Sequence, residues 1–123
     1  MRVAIPIENE SMEGQVCPSF GRTPFYLIYD DVSAETKYLV NEAAVASGGA
    51  GIKAAQLLVD EHIDVVITPR CGKNAAEVLQ GASVKIYKSE GDMIKLNVEA
   101  FTKGELVELD GFHPGFHGHG GSE

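Results

Sequence analysis

Positive charge is in short supply in this sequence. Ten lysines and arginines stand against 18 aspartates and glutamates, leaving a net charge of −8 over 123 residues. No basic stripe is available to displace counterions from a phosphate backbone, so a nucleic-acid partner is not expected. Long apolar runs are also missing. None approaches the ~18 residues of a membrane-spanning helix, and Met1-Arg2-Val3 opens directly into a strand-like segment rather than a secretory leader. The expectation is a cytoplasmic protein with no membrane partner. Cysteine is scarce: Cys17 and Cys71 alone cannot complete a four-cysteine cluster site within one chain. There is no internal repeat. Gly48-Gly49-Ala50-Gly51 lacks the Lys-Ser/Thr of a P-loop and the spacing of GxGxxG, so nucleotide binding has little support.

What is present is a chain long enough for one core, 44% hydrophobic and 23% charged, ordinary for a globular domain. Arg2 to Ile7 is a Val/Ile-rich run that predicts a buried strand. Phe25 to Asp30 and Lys37 to Asn41, parted by Asp31 and Ser33, predict a hairpin. Ile63 to Thr68 is nearly continuous in apolar residues, as in a central strand covered on both faces, and Val84 to Tyr87 predicts a shorter strand. Elsewhere the period becomes helical. Ile52, Ala55, Leu58 and Val59 share a face after Gly48-Gly49. Ala75, Ala76, Val78 and Leu79 do the same, with Gly81 as the expected C′ residue. Ile94, Val98 and Phe101 form a third stripe, with Ser89 as its expected N-cap and Gly104 as its stop. The order β, long loop, β, β, α, β, α, β, α implies an α/β fold with a mixed sheet and flanking helices. Residues 1–109 form the single domain. Residues 110–123, dense in glycine and histidine, read as a flexible tail.

Three segments can carry chemistry. The connection from Glu8 to Pro24, with Val16-Cys17-Pro18-Ser19-Phe20-Gly21-Arg22, is longer than the ~12–15 residues beyond which a structureless loop tends to be functional or disordered. A plain surface loop with Cys17 as a small buried hydrophobe explains it equally well. Thr68-Pro69-Arg70-Cys71-Gly72-Lys73-Asn74 closes the fourth strand. There Cys71 stands between a strand end and a helix start, where backbone N–H groups and the helix dipole favour an anion or thiolate. Arg70 and Lys73 add positive charge on either side, and open α/β sheets gather ligands outside strand carboxyl ends at a topological switch point. The alternative is a tight turn in which Gly72 serves geometry only. His113, His117 and His119 can bind Zn, Ni or Cu, or be an incidental solvated tail.

Several ordered blocks together resemble a family. They are Met1-Arg2-Val3-Ala4-Ile5-Pro6, Ser19-Phe20-Gly21-Arg22-Thr23-Pro24-Phe25, Gly48-Gly49-Ala50-Gly51-Ile52-Lys53-Ala54-Ala55-Gln56, Asp64-Val65-Val66-Ile67-Thr68 and Asn74-Ala75-Ala76-Glu77-Val78-Leu79. From Met1 to about Phe101 the chain is similar to the dinitrogenase iron–molybdenum cofactor biosynthesis family, NifX-like and like the C-terminal domain of NifB. The resemblance implies a ribonuclease H-like fold with a mixed five-stranded sheet, in which the first and fourth strands adjoin and bring the Cys17 loop beside Cys71. It implies a non-catalytic protein that carries an iron–sulfur or iron–molybdenum type cluster, or a precursor, and meets cofactor-assembly proteins as a monomer or homodimer. Thiolates suit such metals as soft ligands. The expected metal ligands are Cys17, Cys71, His113, His117 and His119. The expected cofactor-contacting residues are Ser19, Phe20, Gly21, Arg22, Gly49, Arg70, Gly72 and Lys73, with the cations offsetting cluster charge. Ser19 stands where many relatives carry His, and Arg70-Cys71-Gly72 replaces a cysteine-free turn.

Two other functions compete. A ribonuclease H-like nuclease needs carboxylates clustered at strand ends to hold two divalent metals. Only Glu8 is near a suitable end, while Asp64 lies at the start of the fourth strand. A cytosolic dithiol redox switch or soft-metal buffer would use Cys17 and Cys71 directly.

Overall fold

The computed structural model describes residues 1–112. Five strands form one sheet in the order β3-β2-β1-β4-β5. They are β1 (Arg2–Ile7), β2 (Phe25–Asp30), β3 (Thr36–Val40), β4 (Val65–Thr68) and β5 (Lys85–Lys88), with helices α1 (Ala50–Asp60), α2 (Lys73–Gly81) and α3 (Ile94–Thr102). β1 pairs antiparallel with β2 and parallel with β4, β4 parallel with β5, and β2 antiparallel with β3. The first and fourth strands are therefore neighbours, as the resemblance implies.

The apolar run in β1 is explained by its central place, since Val3 to Ile7 are buried on both faces. Pro6 sits in this central strand although it has no N–H to give. Its carbonyl is taken by the Cys17 N–H at 2.8 Å, so the loop stands in where β4 has ended. Alternate residues sort into two cores. Ala4, Tyr26, Ile28, Val66 and Ile86 meet Ala54, Ala55 and Leu58 of α1 and Ala75, Ala76 and Leu79 of α2. On the other face Val3, Ile5, Ile7, Leu27, Val65 and Ile67 meet Ile94, with Val98 and Phe101 of α3 packed alongside.

Some expected boundaries differ. In α1 the fully buried stripe is Ala50, Ala54, Ala55 and Leu58, while Ile52 and Val59 are half-buried. Gly81 is not a C′ residue but the last residue of α2. The left-handed position falls on Ser83, at φ 64, where the chain turns so that the Val84 N–H reaches the Leu79 carbonyl. Ser89 does not cap α3, whose N-cap is Met93. Asn97 supplies the closure instead. Its side chain accepts from the Glu90 N–H at 2.7 Å and donates to the Glu90 and Met93 carbonyls. Gly104, at φ 72, ends α3 as expected. A 3-10 turn at Glu42–Val45, capped by Asn41, carried no hydrophobic period to announce it.

The two sheet edges are unlike. Beyond β5 the chain returns antiparallel. The Lys88 N–H bonds to the Val107 carbonyl and the Leu109 N–H to the Ile86 carbonyl, which closes that edge. Leu109 and Phe112 then pack on the α1/α2 core. β3 has no outer neighbour among the described residues.

Candidate functional site at the carboxyl edge of the sheet

β1, β4 and β5 run in one direction, so their carboxyl ends share an edge. The chain leaves β1 toward β2 on one side, while β4 leads to β5 on the other. The crevice between β1 and β4 is thus the switch point at which such sheets admit ligands. The Glu8–Pro24 loop springs from one wall and the Pro69–Gly72 turn from the other.

Two helices aim their N-termini at this crevice. α2 begins directly after β4, and α1, which returns the chain to the start of β4, begins at the same edge. Their first turns adjoin, for a Cβ on Gly51 would lie 3.5 Å from that of Ala75. Neither N-cap, Gly49 or Gly72, has a side chain to satisfy the first amides, and neither first turn holds an acid. Uncapped N–H groups and two positive dipole ends are suited to negative charge. Arg70 and Lys73 flank α2, and Arg22 flanks α1; all three are exposed.

The Ser19–Arg22 turn is bound to this frame. The Ser19 Oγ accepts the Arg22 N–H at 3.0 Å. The Arg22 guanidinium donates from Nη1 to the Ala44 and Ala46 carbonyls at 2.9 and 2.8 Å, tying the turn to the segment that enters α1. Gly21 must be glycine, since a Cβ there would sit 2.8 Å from the Gly51 Cα and N. Gly49 uses its freedom differently, at φ 67, whereas Gly72 is extended at φ −71.

Both cysteines are free thiols and both are buried. Cys71 is 1% exposed, within the α1/α2 core, and burial pushes its thiol up to about 12. Cys17 is also shifted upward by burial, opposed by the Ser19 N–H and Thr23 hydroxyl and reinforced by the Glu8 carboxylate beside it. Both thiols act on the charge state of Tyr26. Its phenol is held well above its ordinary value, first by burial and then by the negative charge each thiolate would carry. Phe20 from the loop and Cys71 from the β4–α2 turn share one buried cluster with this tyrosine. Among the described residues no group of three or more His, Cys, Asp or Glu is placed to hold a metal ion. His113, His117 and His119 lie outside the described residues.

Tyr26, Thr23 and Asn41 were missed as parts of this site. The Asn41 amide donates to the Gly21 and Thr23 carbonyls at 3.0 and 2.9 Å, and the Thr23 hydroxyl donates to the Ile7 carbonyl at 2.8 Å. An Asn just past a strand is a legible capping signal. Nothing in the sequence marks an inward strand tyrosine as a loop anchor.

A small α/β domain with two adjoining, uncapped helix N-termini and two thiols at its switch point is the class that fold and site define. Residues 1–104 match the family model described as dinitrogenase iron–molybdenum cofactor, and the chain belongs to that family. The apo form of the orange protein from Desulfovibrio gigas is 31% identical, with a TM-score of 0.84 over 89% of this chain and 93% of that one. A NifB-like protein from Thermotoga is 36% identical, with a TM-score of 0.78 over 90% of this chain and 95% of that one. An uncharacterized protein from Methanocaldococcus jannaschii is 25% identical over 89% of this chain and 92% of its own length. Among the described residues no helix is long and apolar enough to cross a membrane.

Proposed function

We propose that this protein is a non-catalytic carrier of an anionic iron–sulfur or molybdenum-containing cluster, or a precursor, during metallocofactor assembly. The cradle at the β1/β4 crevice carries the reading: adjoining, uncapped first turns of α1 and α2 with no acid in either. In a chain of net charge −8, three cations and two sets of bare amides at this edge, opposed by the Glu8 carboxylate beside Cys17, favour a compact anion. Membership of the cofactor family supports the cargo class.

Arg22, Arg70 and Lys73 offset the cargo's charge, and the Ser19–Arg22 turn with Gly49 and Gly72 supplies backbone amides. Cys17 and Cys71 are the soft ligands. Two thiolates leave most metal positions to sulfide, to amide contacts or to donors from elsewhere, including the tail histidines and assembly proteins. This division suits a carrier, which must release its cargo. The five-stranded mixed sheet, in a ribonuclease H-like reading, then acts as scaffold. The dithiol redox alternative would draw on the same two buried thiols, and a thiol titration with no redox response across physiological potentials counts against it.

Anaerobic reconstitution with iron, sulfide and molybdate, followed by elemental analysis and visible spectra, tests the proposal. Stoichiometric metal with sulfide charge-transfer bands, diminished in a Cys17→Ser, Cys71→Ser double variant, is expected. A colourless, metal-free protein under these conditions overturns it.

A further inference from the structure

A soft ligand that solvent cannot touch is of no use to incoming metal, and Cys71 is 1% exposed. The buried cluster around it comes almost wholly from strands and helices: Ala4, Tyr26 and Val66 from the sheet, Ala54 and Ala75 from the helices. At the carboxyl edge two members stand outside the sheet and the α-helices, Ala43 in the 3-10 turn and Phe20. Phe20, 5% exposed, is carried by a loop, so it is the wall that can move without unfolding an element.

The loop's attachments show how far it can move. Before Phe20, the Cys17 N–H is fixed to the Pro6 carbonyl. After it, Gly21 is pressed on Gly51 and its carbonyl is held by Asn41. Between these anchors the Phe20 carbonyl is held by the Tyr26 hydroxyl. The two rings also pack together, tilted by 58° with centroids 5.7 Å apart. Tyr26 lies in β2 at 0% exposure and cannot follow the loop outward.

We propose that Phe20 is a gate over Cys71 and that Tyr26 is the positioning residue that holds it shut. Lifting Pro18–Phe20 breaks the Tyr26–Phe20 hydrogen bond, the bonds of Ser19 to Arg22 and Cys17, and one aromatic contact, but no strand or helix pairing, and opens a path to Cys71 between the loop and the first turns of α1 and α2. The inference concerns access alone and stands whether or not the cargo is a metal cluster.

Thiol alkylation tests it without any cargo. In a Cys17→Ser background Cys71 is the only thiol, and the probe is iodoacetamide at pH 8 under native conditions, read by mass spectrometry. Tyr26→Phe, which removes only the latch hydroxyl, is expected to raise the labelling rate at least tenfold, and Phe20→Ala to raise it further. Asn97→Ala, which loosens the opposite face, serves as the comparator, matched in denaturant to equal global stability. Rates unchanged in both gate variants would overturn the proposal. So would an equal acceleration by Asn97→Ala, which would mean that Cys71 is reached only by global unfolding.

Discussion

Cys71 keeps its proton in the core because ionisation there would leave a charge without water. With a folded value of about 12 against an ordinary 9.0, the folded state holds the proton where the unfolded chain has lost it. The stability this confers is complete below pH 9 and drains as pH rises from 9 to 12, at about 1.4 kcal/mol per pH unit. Denaturant titrations across that window are expected to show a steep alkaline loss, flattened in Cys71→Ala. The residual slope belongs to Cys17 and Tyr26, both shifted in the same direction, first by burial. A Cys71→Ala curve as steep as that of the parent would show that the thiol ionises freely in the folded protein. At this scale the sequence was half legible. Cys17 and Cys71 declare themselves by type and by place at strand ends. Tyr26 and Asn41 act through contacts across 6 and 20 residues of chain, which no local pattern encodes.

The first turns of α1 and α2 pit stability against binding. Asn74 is exposed in the first turn of α2. An acid there complements the helix dipole, so Asn74→Asp is expected to stabilise the fold by about 0.3–1 kcal/mol. The same charge repels an anionic cargo, so cluster loading should fall while the denaturation midpoint rises. Both quantities moving together would remove the cradle from the mechanism. Gly21→Ala makes the opposite kind of test. Its Cβ would meet Gly51 backbone at 2.8 Å, and overpacking of this sort costs about 1–3 kcal/mol, measurable by chemical denaturation. Element identities were legible because the periods of 2 and 3.6 are strong here. Element ends were less so. Gly81 looks like a stop, yet the chain reverses at Ser83, because the Val84–Leu79 hydrogen bond decides the turn. Ser89 looks like a cap, but the Asn97 side chain, reaching back from inside the helix, already satisfies the Glu90 amide.

Across the whole molecule, the order of strands places the chemistry. Hydrophobic runs foretold which segments are strands, and the family resemblance supplied the adjacency of β1 and β4 that spacing alone could not. Nothing foretold the return of residues 107–109 along β5, because Val107-Glu108-Leu109 is too short to show a period. Its effect can be measured. Leu109→Pro removes the N–H that bonds to Ile86 and is expected to cost about 1–3 kcal/mol, with concentration-dependent light scattering as the edge opens. An unaltered scattering profile would mean that this strip does not protect the edge.

The unlike edges also bias assembly. An unpaired strand edge is a template for a further strand. β5 is lined by the three residues 107–109, whereas the five residues of β3 have no outer neighbour among the described residues. Where two copies meet sheet to sheet, the longer free ladder of β3 is the side expected to join them, in an isologous pair.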